Sequence, residues 1–236
     1  MFSVLCVNEP RKRIFQSRKC DVQLLLSPVK GAAPYKVISV TPGRRGIDWK
    51  TVAKAASNSA DVMLMPEGFN GYESAGIRHF RPYVLPKVVM INTVANIAKK
   101  SGVKYQSVLI DDSDGVVAGF VRRIVPYSAK ITVQTATPEK YFEDAVSILE
   151  DFGASLRICD SVGAEERFDI AVSDNVVEGA EVQLFPVDVP KKLVAEEIPE
   201  EIRRLCPDGI NLFDFTCALF ECSGLKTAGE LTLSQV

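Results

Sequence analysis

The sequence predicts an α/β protein: a parallel-sheet module in the second half, a smaller α/β module before it, and helices at the carboxyl end. Three observations carry this reading. Short apolar runs rich in Val, Leu and Ile recur between turn residues, helical stretches open at capping residues and stop at glycines, and strand and helix signals alternate beyond residue 103. Alternation of that kind gives parallel strands joined by right-handed crossovers.

The first module, residues 1–102, opens with four such runs, at 2–7, 21–27, 35–41 and 61–65, each bounded by Pro, Gly or charge and read as a strand. Asp48 is placed to cap a short helix that follows the third run. The stretch "PEGFNGYESAGIRHFRPY" (66–83) is glycine-rich and without apolar period, and a loop of that length in a compact domain is often functional. "PKVVMINTVANIAKKSG" (86–102) then reads as a helix opened by Pro86 and closed by two lysines and Gly102.

The second module, residues 103–236, reads as strand 108–110, helix 115–124, strand 130–135, helix 138–152 with Thr137 before it and Gly153 after it, and strands 155–158 and 169–173. Beyond Pro190 the pattern turns helical in "PEEIRRLC" and in "NLFDFTCALFECSG", whose apolar residues Leu212, Phe215, Leu219 and Phe220 mark an amphipathic helix ending at Gly224.

With 47% hydrophobic and 25% charged residues the composition is that of a globular protein, and no apolar run reaches the roughly 18 residues of a membrane helix. The amino-terminal order of charge and apolar residues does not fit a secretory signal, so a cytoplasmic location is expected. Six scattered cysteines with no CxxC pair and a single histidine read as reduced thiols and not as a zinc site. The net charge of −2 combines a basic first fifty residues with an acidic stretch from 139 to 201. Acidic balance and few aromatics exclude nucleic acid as a partner; a small anionic molecule fits the basic loops, and self-association stays open.

Two loops carry residues suited to an anion. "TPGRRGID" places Gly43, Arg44, Arg45 and Gly46 between a strand and a helix start, offering backbone amides and two guanidinium groups. The long loop carries Arg78, His79 and Arg81, and two arginines beside an imidazole favour its neutral form.

The turn in "YQSVLIDDSDGVVAGFVRRI" (105–124) is the most chemically loaded stretch. With "AKITVQTATPEKY" and "FDIAVSDN", it makes residues 105–175 resemble the Rossmann-like NAD(P)-binding domain of shikimate-dehydrogenase-like oxidoreductases. That resemblance implies a Rossmann-like parallel sheet. The family's turn glycines, however, fall on Asp111 and Ser113, and an aspartate about 4 Å from a phosphate would cost on the order of 4 kcal/mol at an effective dielectric near 20. A degenerate module that does not act as a dehydrogenase, binding a small anion between the modules, is therefore expected.

"IDDSDGVV" is also similar to the first motif of haloacid-dehalogenase phosphatases. This likeness implies Mg²⁺, with Asp112 as nucleophile, Asp114 as general acid/base, Thr135 or Thr137 in the second motif and Asp174 as a metal ligand. A third reading needs no ligand: Asp112, Ser113 and Asp114 cap the helix that follows, in a structural or regulatory subunit without a metal or cofactor.

Overall fold

A computed structural model of the chain describes residues 1–9, 20–25, 31–43, 46–102, 106–128 and 130–233. Strands β1 (Ser3–Val7), β2 (Cys20–Leu25), β3 (Tyr35–Val40) and β4 (Met63–Leu64) form one sheet in the order β2-β3-β1-β4. β1 runs parallel to β3 and β4, while β2 is antiparallel to β3. The central strands β1 and β3 are largely buried and mostly apolar, as suits strands covered on both sides. Leu5, Ile38 and Val40 pack with Val52 and Ala56 of α1 (Trp49–Ala56). Phe2 stacks on Tyr35 at 5.1 Å, and both rings meet the edge of Phe215 from α6 (Leu212–Ser223). Asp48 caps α1 as expected, its carboxylate accepting from the Thr51 amide at 3.4 Å.

A second sheet contains β5 (Ser107–Asp111), β6 (Lys130–Gln134), β7 (Ser155–Cys159), β8 (Phe168–Val172) and β9 (Ala180–Leu184), in the order β7-β6-β5-β8-β9. All neighbours in it are parallel. Counted from β5 the order is 3-2-1-4-5, the doubly wound arrangement, with its reversal of direction between β5 and β8.

The chain folds into two compact units, Met1–Pro82 with Ile198–Gly229, and Tyr83–Glu197 with Glu230–Val236. This differs from a division at residue 102. Helix α2 (Val84–Ser101), read from sequence as closing the first half, belongs to the second unit, where it packs on β8 and on the 3₁₀ turns Val121–Arg123 and Pro186–Asp188. Every residue from Leu85 to Ala95 is buried, Lys87, Asn92 and Thr93 included, so the helix is covered on all sides and its polar side chains need partners within the protein. Helix α4 (Lys191–Glu197) belongs to the same unit, whereas α5 (Glu200–Arg203) and α6 belong to the first.

The helix expected over 115–124 is absent. That segment is a series of turns with one 3₁₀ turn, because Gly115 and Gly119 both adopt left-handed backbone, at φ 63° and 85°, and interrupt any right-handed helix. The helix expected over 138–152 begins as a 3₁₀ turn, Pro138–Tyr141, and continues as α3 (Phe142–Phe152), stopped by Gly153. Among the described residues no helix is long and apolar enough to cross a membrane. Cys6, Cys159, Cys206, Cys217 and Cys222 are free thiols.

Candidate functional site

The carboxyl ends of β5 and β8 flank the point where open α/β sheets receive their ligands. Here the chain's own side chains meet at that point. Asp112 follows β5 directly and is fully buried. One of its oxygens, Oδ2, accepts from the Tyr141 hydroxyl at 2.5 Å and from the Val117 amide at 2.9 Å; the other, Oδ1, faces the Lys87 ammonium at 3.4 Å. Lys87 extends from the first turns of α2 and also pairs with Asp174, beyond β8, at 3.4 Å.

The network opens outward through Tyr83. Its hydroxyl donates to Asp114 at 2.8 Å and receives a long contact from Lys87 at 3.5 Å. Lys140 donates to the backbone carbonyl of Asp114 at 2.6 Å, and Ser173 donates to the Asp111 carboxylate at 2.8 Å. Burial alone would draw the Lys87 ammonium down, but facing Asp112, Tyr83 and Asp174 outweighs it, and the pKa ends above the ordinary lysine value. Burial first, and then the hydrogen bond to Asp112, push the Tyr141 phenol far above its usual range, so it stays a proton donor.

These contacts do not fit the groups that the sequence resemblances imply. A pyrophosphate would meet the carboxylates of Asp111, Asp112, Asp114 and Asp174, and the turn itself is closed: a Cβ at Gly115 would stand 2.5 Å from Thr137 Oγ1 and 2.6 Å from Lys140 Cδ. A phosphatase nucleophile needs a free oxygen turned toward substrate, whereas both oxygens of Asp112 are engaged in a buried setting. Thr135 and Thr137 hydrogen-bond each other at 3.2 Å. Among the described residues no group of three His, Cys, Asp or Glu side chains is arranged to hold a metal ion, and Lys87 fills the space between Asp112 and Asp174 where a cation would sit. The capping reading is corrected in one respect. The Asp112 carboxylate does cap one amide, that of Val117, but in an irregular turn, since no α-helix follows it.

In the first unit, residues 78–80 run alongside β4: the Met63 amide donates to the Arg78 carbonyl at 3.0 Å and the Phe80 amide to the Met63 carbonyl at 2.8 Å. Buried Ile77 and Phe80 anchor the segment, which puts Arg78, His79 and Arg81 on the wall of a depression of about 650 Å³, with Asp61, Tyr72 and Glu73 also lining it. The Tyr72 ring lies edge-on to His79 at 6.4 Å and to Trp49 at 5.9 Å. Burial and Glu73 raise the Tyr72 pKa while Arg81 opposes them, so both charges act on this phenol. The three candidates of the long loop are thus brought together.

At the ends of the other anion loop, Gly43 and Gly46 form an antiparallel bridge. The Gly43 and Gly46 amides each donate to the other's carbonyl at 3.0 Å, so they are spent on the bridge and are not turned outward to an anion. Arg44 and Arg45 lie outside the described residues. Gly46 borders a smaller depression of about 350 Å³ with Trp49, Phe69 and Asn70, which shares no lining residue with the first.

Sequence reasoning missed Lys87, Tyr83 and Tyr141. The signal for Lys87 was available: a lone lysine inside "VLPKVVMI" has to bury its ammonium and therefore needs an anion.

No protein-family model matches the sequence, and no curated relative does. Among solved structures the chain is similar to L-tryptophan dehydrogenase from Nostoc punctiforme, with 11% identity over 84% of this chain and 73% of that one at a TM-score of 0.31. It is also similar to a shikimate dehydrogenase in complex with NADP+, with 13% identity over 83% of this chain and 84% of that one at a TM-score of 0.27. The strand order carries the assignment of class: the second unit is a Rossmann-like α/β module.

Proposed function

We infer that this protein binds a small anionic molecule and does not act as a dehydrogenase, with the ligand held in the depression of the first unit. The observation that carries this reading is the convergence of Arg78, His79 and Arg81 on one concave surface, whose volume falls in the range of small-molecule sites. Guanidinium groups match carboxylate and phosphate in geometry as well as charge. The Rossmann-like module supports the negative half of the reading, since its switch point is filled by Lys87, Asp112 and Tyr141 and lined with carboxylates.

Thermal melts with inorganic phosphate, citrate and NADPH test it. Phosphate or citrate at a hundred times its dissociation constant raises stability by about 2.7 kcal/mol, the double variant Arg78→Ala with Arg81→Ala loses that shift, and NADPH gives none. A shift that survives the double substitution, or the absence of a shift with both small anions, overturns the assignment.

A further inference from the structure

Helix α3 has two apolar faces, and the fold uses one of them. Ile148, like Tyr141 just before the helix, is buried, whereas Phe142, Val146, Leu149 and Phe152 are 58%, 55%, 61% and 48% exposed. Their spacing of four, three and three residues sets them on one stripe along the outer side of the helix. Single exposed apolar residues are ordinary on any protein surface; four large ones in a row mark a contact surface.

The charges beside the stripe restrict what covers it. Glu143 and Glu150, seven residues apart along one side of the stripe, are both exposed, and neither forms an ion pair among the described residues. Lys140 is the single basic residue between 138 and 152, and its ammonium is bonded to the Asp114 carbonyl. A second copy laid antiparallel on the stripe would bring the Glu143 and Glu150 side of each helix against the same side of the other. An anionic lipid surface meets the same repulsion. An amphipathic helix whose apolar face is flanked by lysine or arginine meets none of it, and it satisfies both the stripe and its acidic border. We propose that the outer face of α3 is the docking surface for a basic amphipathic helix of a partner protein.

The test uses a helical leucine–lysine peptide with one apolar and one basic face, and its leucine–glutamate counterpart. Labelled peptide is titrated with the full chain by fluorescence anisotropy, and the contact is mapped by backbone amide NMR. Expected are binding of the lysine peptide with perturbations centred on residues 139–153, and no binding of the glutamate peptide. Affinity should fall at least tenfold in Val146→Ser with Leu149→Ser, and again in Glu143→Lys with Glu150→Lys. All four positions are exposed, so circular dichroism melts should match the wild type. Failure of the lysine peptide to bind, perturbations centred elsewhere, or affinity retained in both double variants overturns the proposal. So does a wild-type dimer in sedimentation that the serine variant dissociates, because the stripe then belongs to a second copy.

Discussion

The Lys87 ammonium stands 3.4 Å from the Asp112 carboxylate, with the two side chains 5% and 0% exposed. A pair so far from water is held in place by the cost of leaving either member alone. Lys87→Met is therefore expected to destabilise the protein by about 3 to 5 kcal/mol, since it leaves Asp112 in a buried site without its counter-ion. Adding Asp112→Leu should recover part of that loss, because residues in one network are not additive. Urea unfolding of the two singles and the double measures this; a Lys87→Met cost below about 1 kcal/mol would show that the pair is solvated.

Tyr141 supplies the other strong contact to Asp112, and its removal has a distinct signature. Tyr141→Phe leaves a buried carboxylate oxygen short of one donor, at a cost of about 1 to 3 kcal/mol. The phenol's raised pKa adds a pH dependence. In the unfolded chain Tyr141 ionises near pH 10 while in the folded chain it holds its proton, so the stability it provides is present below that pH and is lost as pH rises above it. The gap between wild type and Tyr141→Phe should narrow above about pH 10. A gap that stays constant across that range would show that the phenol is not shielded by Asp112.

Much of the second sheet is legible in the sequence because parallel strands are short, β-branched and bounded by turn residues, and β5, β6 and β8 each lie within a residue or two of where those runs place them. The helix stops at Gly102, Gly153 and Gly224 are equally legible, all three in left-handed backbone. What was not legible has physical causes. β9 reads "AEVQL", in which polar Glu181 and Gln183 alternate with apolar residues and no position is fully buried, so it lacks the apolar run that marks a buried strand. Residues 115–124 have the apolar content of a helix, and the left-handed backbone of Gly115 and Gly119 that prevents one is not marked by residue type alone, since glycine adopts either hand. Pairing of β2 antiparallel to β3 leaves no mark in composition, and β3 and β4 lie in a different sheet from β5, so the turns after these strands do not line one common sheet edge. Lys87 and Asp112 are twenty-five positions apart and meet through the fold alone. The aspartate-rich turn does lie at the carboxyl end of β5, where Asp112 and Asp114 are bonded to Lys87, Tyr141 and Tyr83.

Gly115 and Gly119 offer a controlled comparison at that turn. Both have left-handed backbone, so Ala at either pays a conformational cost of about 1 to 2 kcal/mol. A Cβ at Gly119 meets no atom within 4 Å, whereas one at Gly115 falls 2.5 Å from Thr137 Oγ1 and 2.6 Å from Lys140 Cδ. Gly115→Ala should accordingly be the more destabilising, and Thr137→Ala introduced with it should restore part of the difference. Equal unfolding midpoints for the two glycine variants would mean that the turns after β5 and β6 are not in contact.

Arg157 and Glu166 define the last prediction, which concerns acid stability. Both terminal guanidinium nitrogens of Arg157, Nη1 and Nη2, donate to the Glu166 carboxylate, and the Gly163 amide donates to it as well at 2.9 Å. The hydrogen bond from Arg157, and then that from Gly163, hold Glu166 down to about 2, against about 4.3 for a free glutamate. A depressed carboxylate contributes stability that is present above the unfolded value and is lost as pH falls through the folded one. Glu166→Gln should therefore melt below the wild type at neutral pH, the difference should shrink between about pH 4 and pH 2, and it should vanish below that. The pair is substantially exposed, so added salt should reduce the neutral-pH difference in the same samples. A melting difference that persists unchanged from neutral pH to below pH 2 would assign the effect to packing of the glutamine and not to the ion pair.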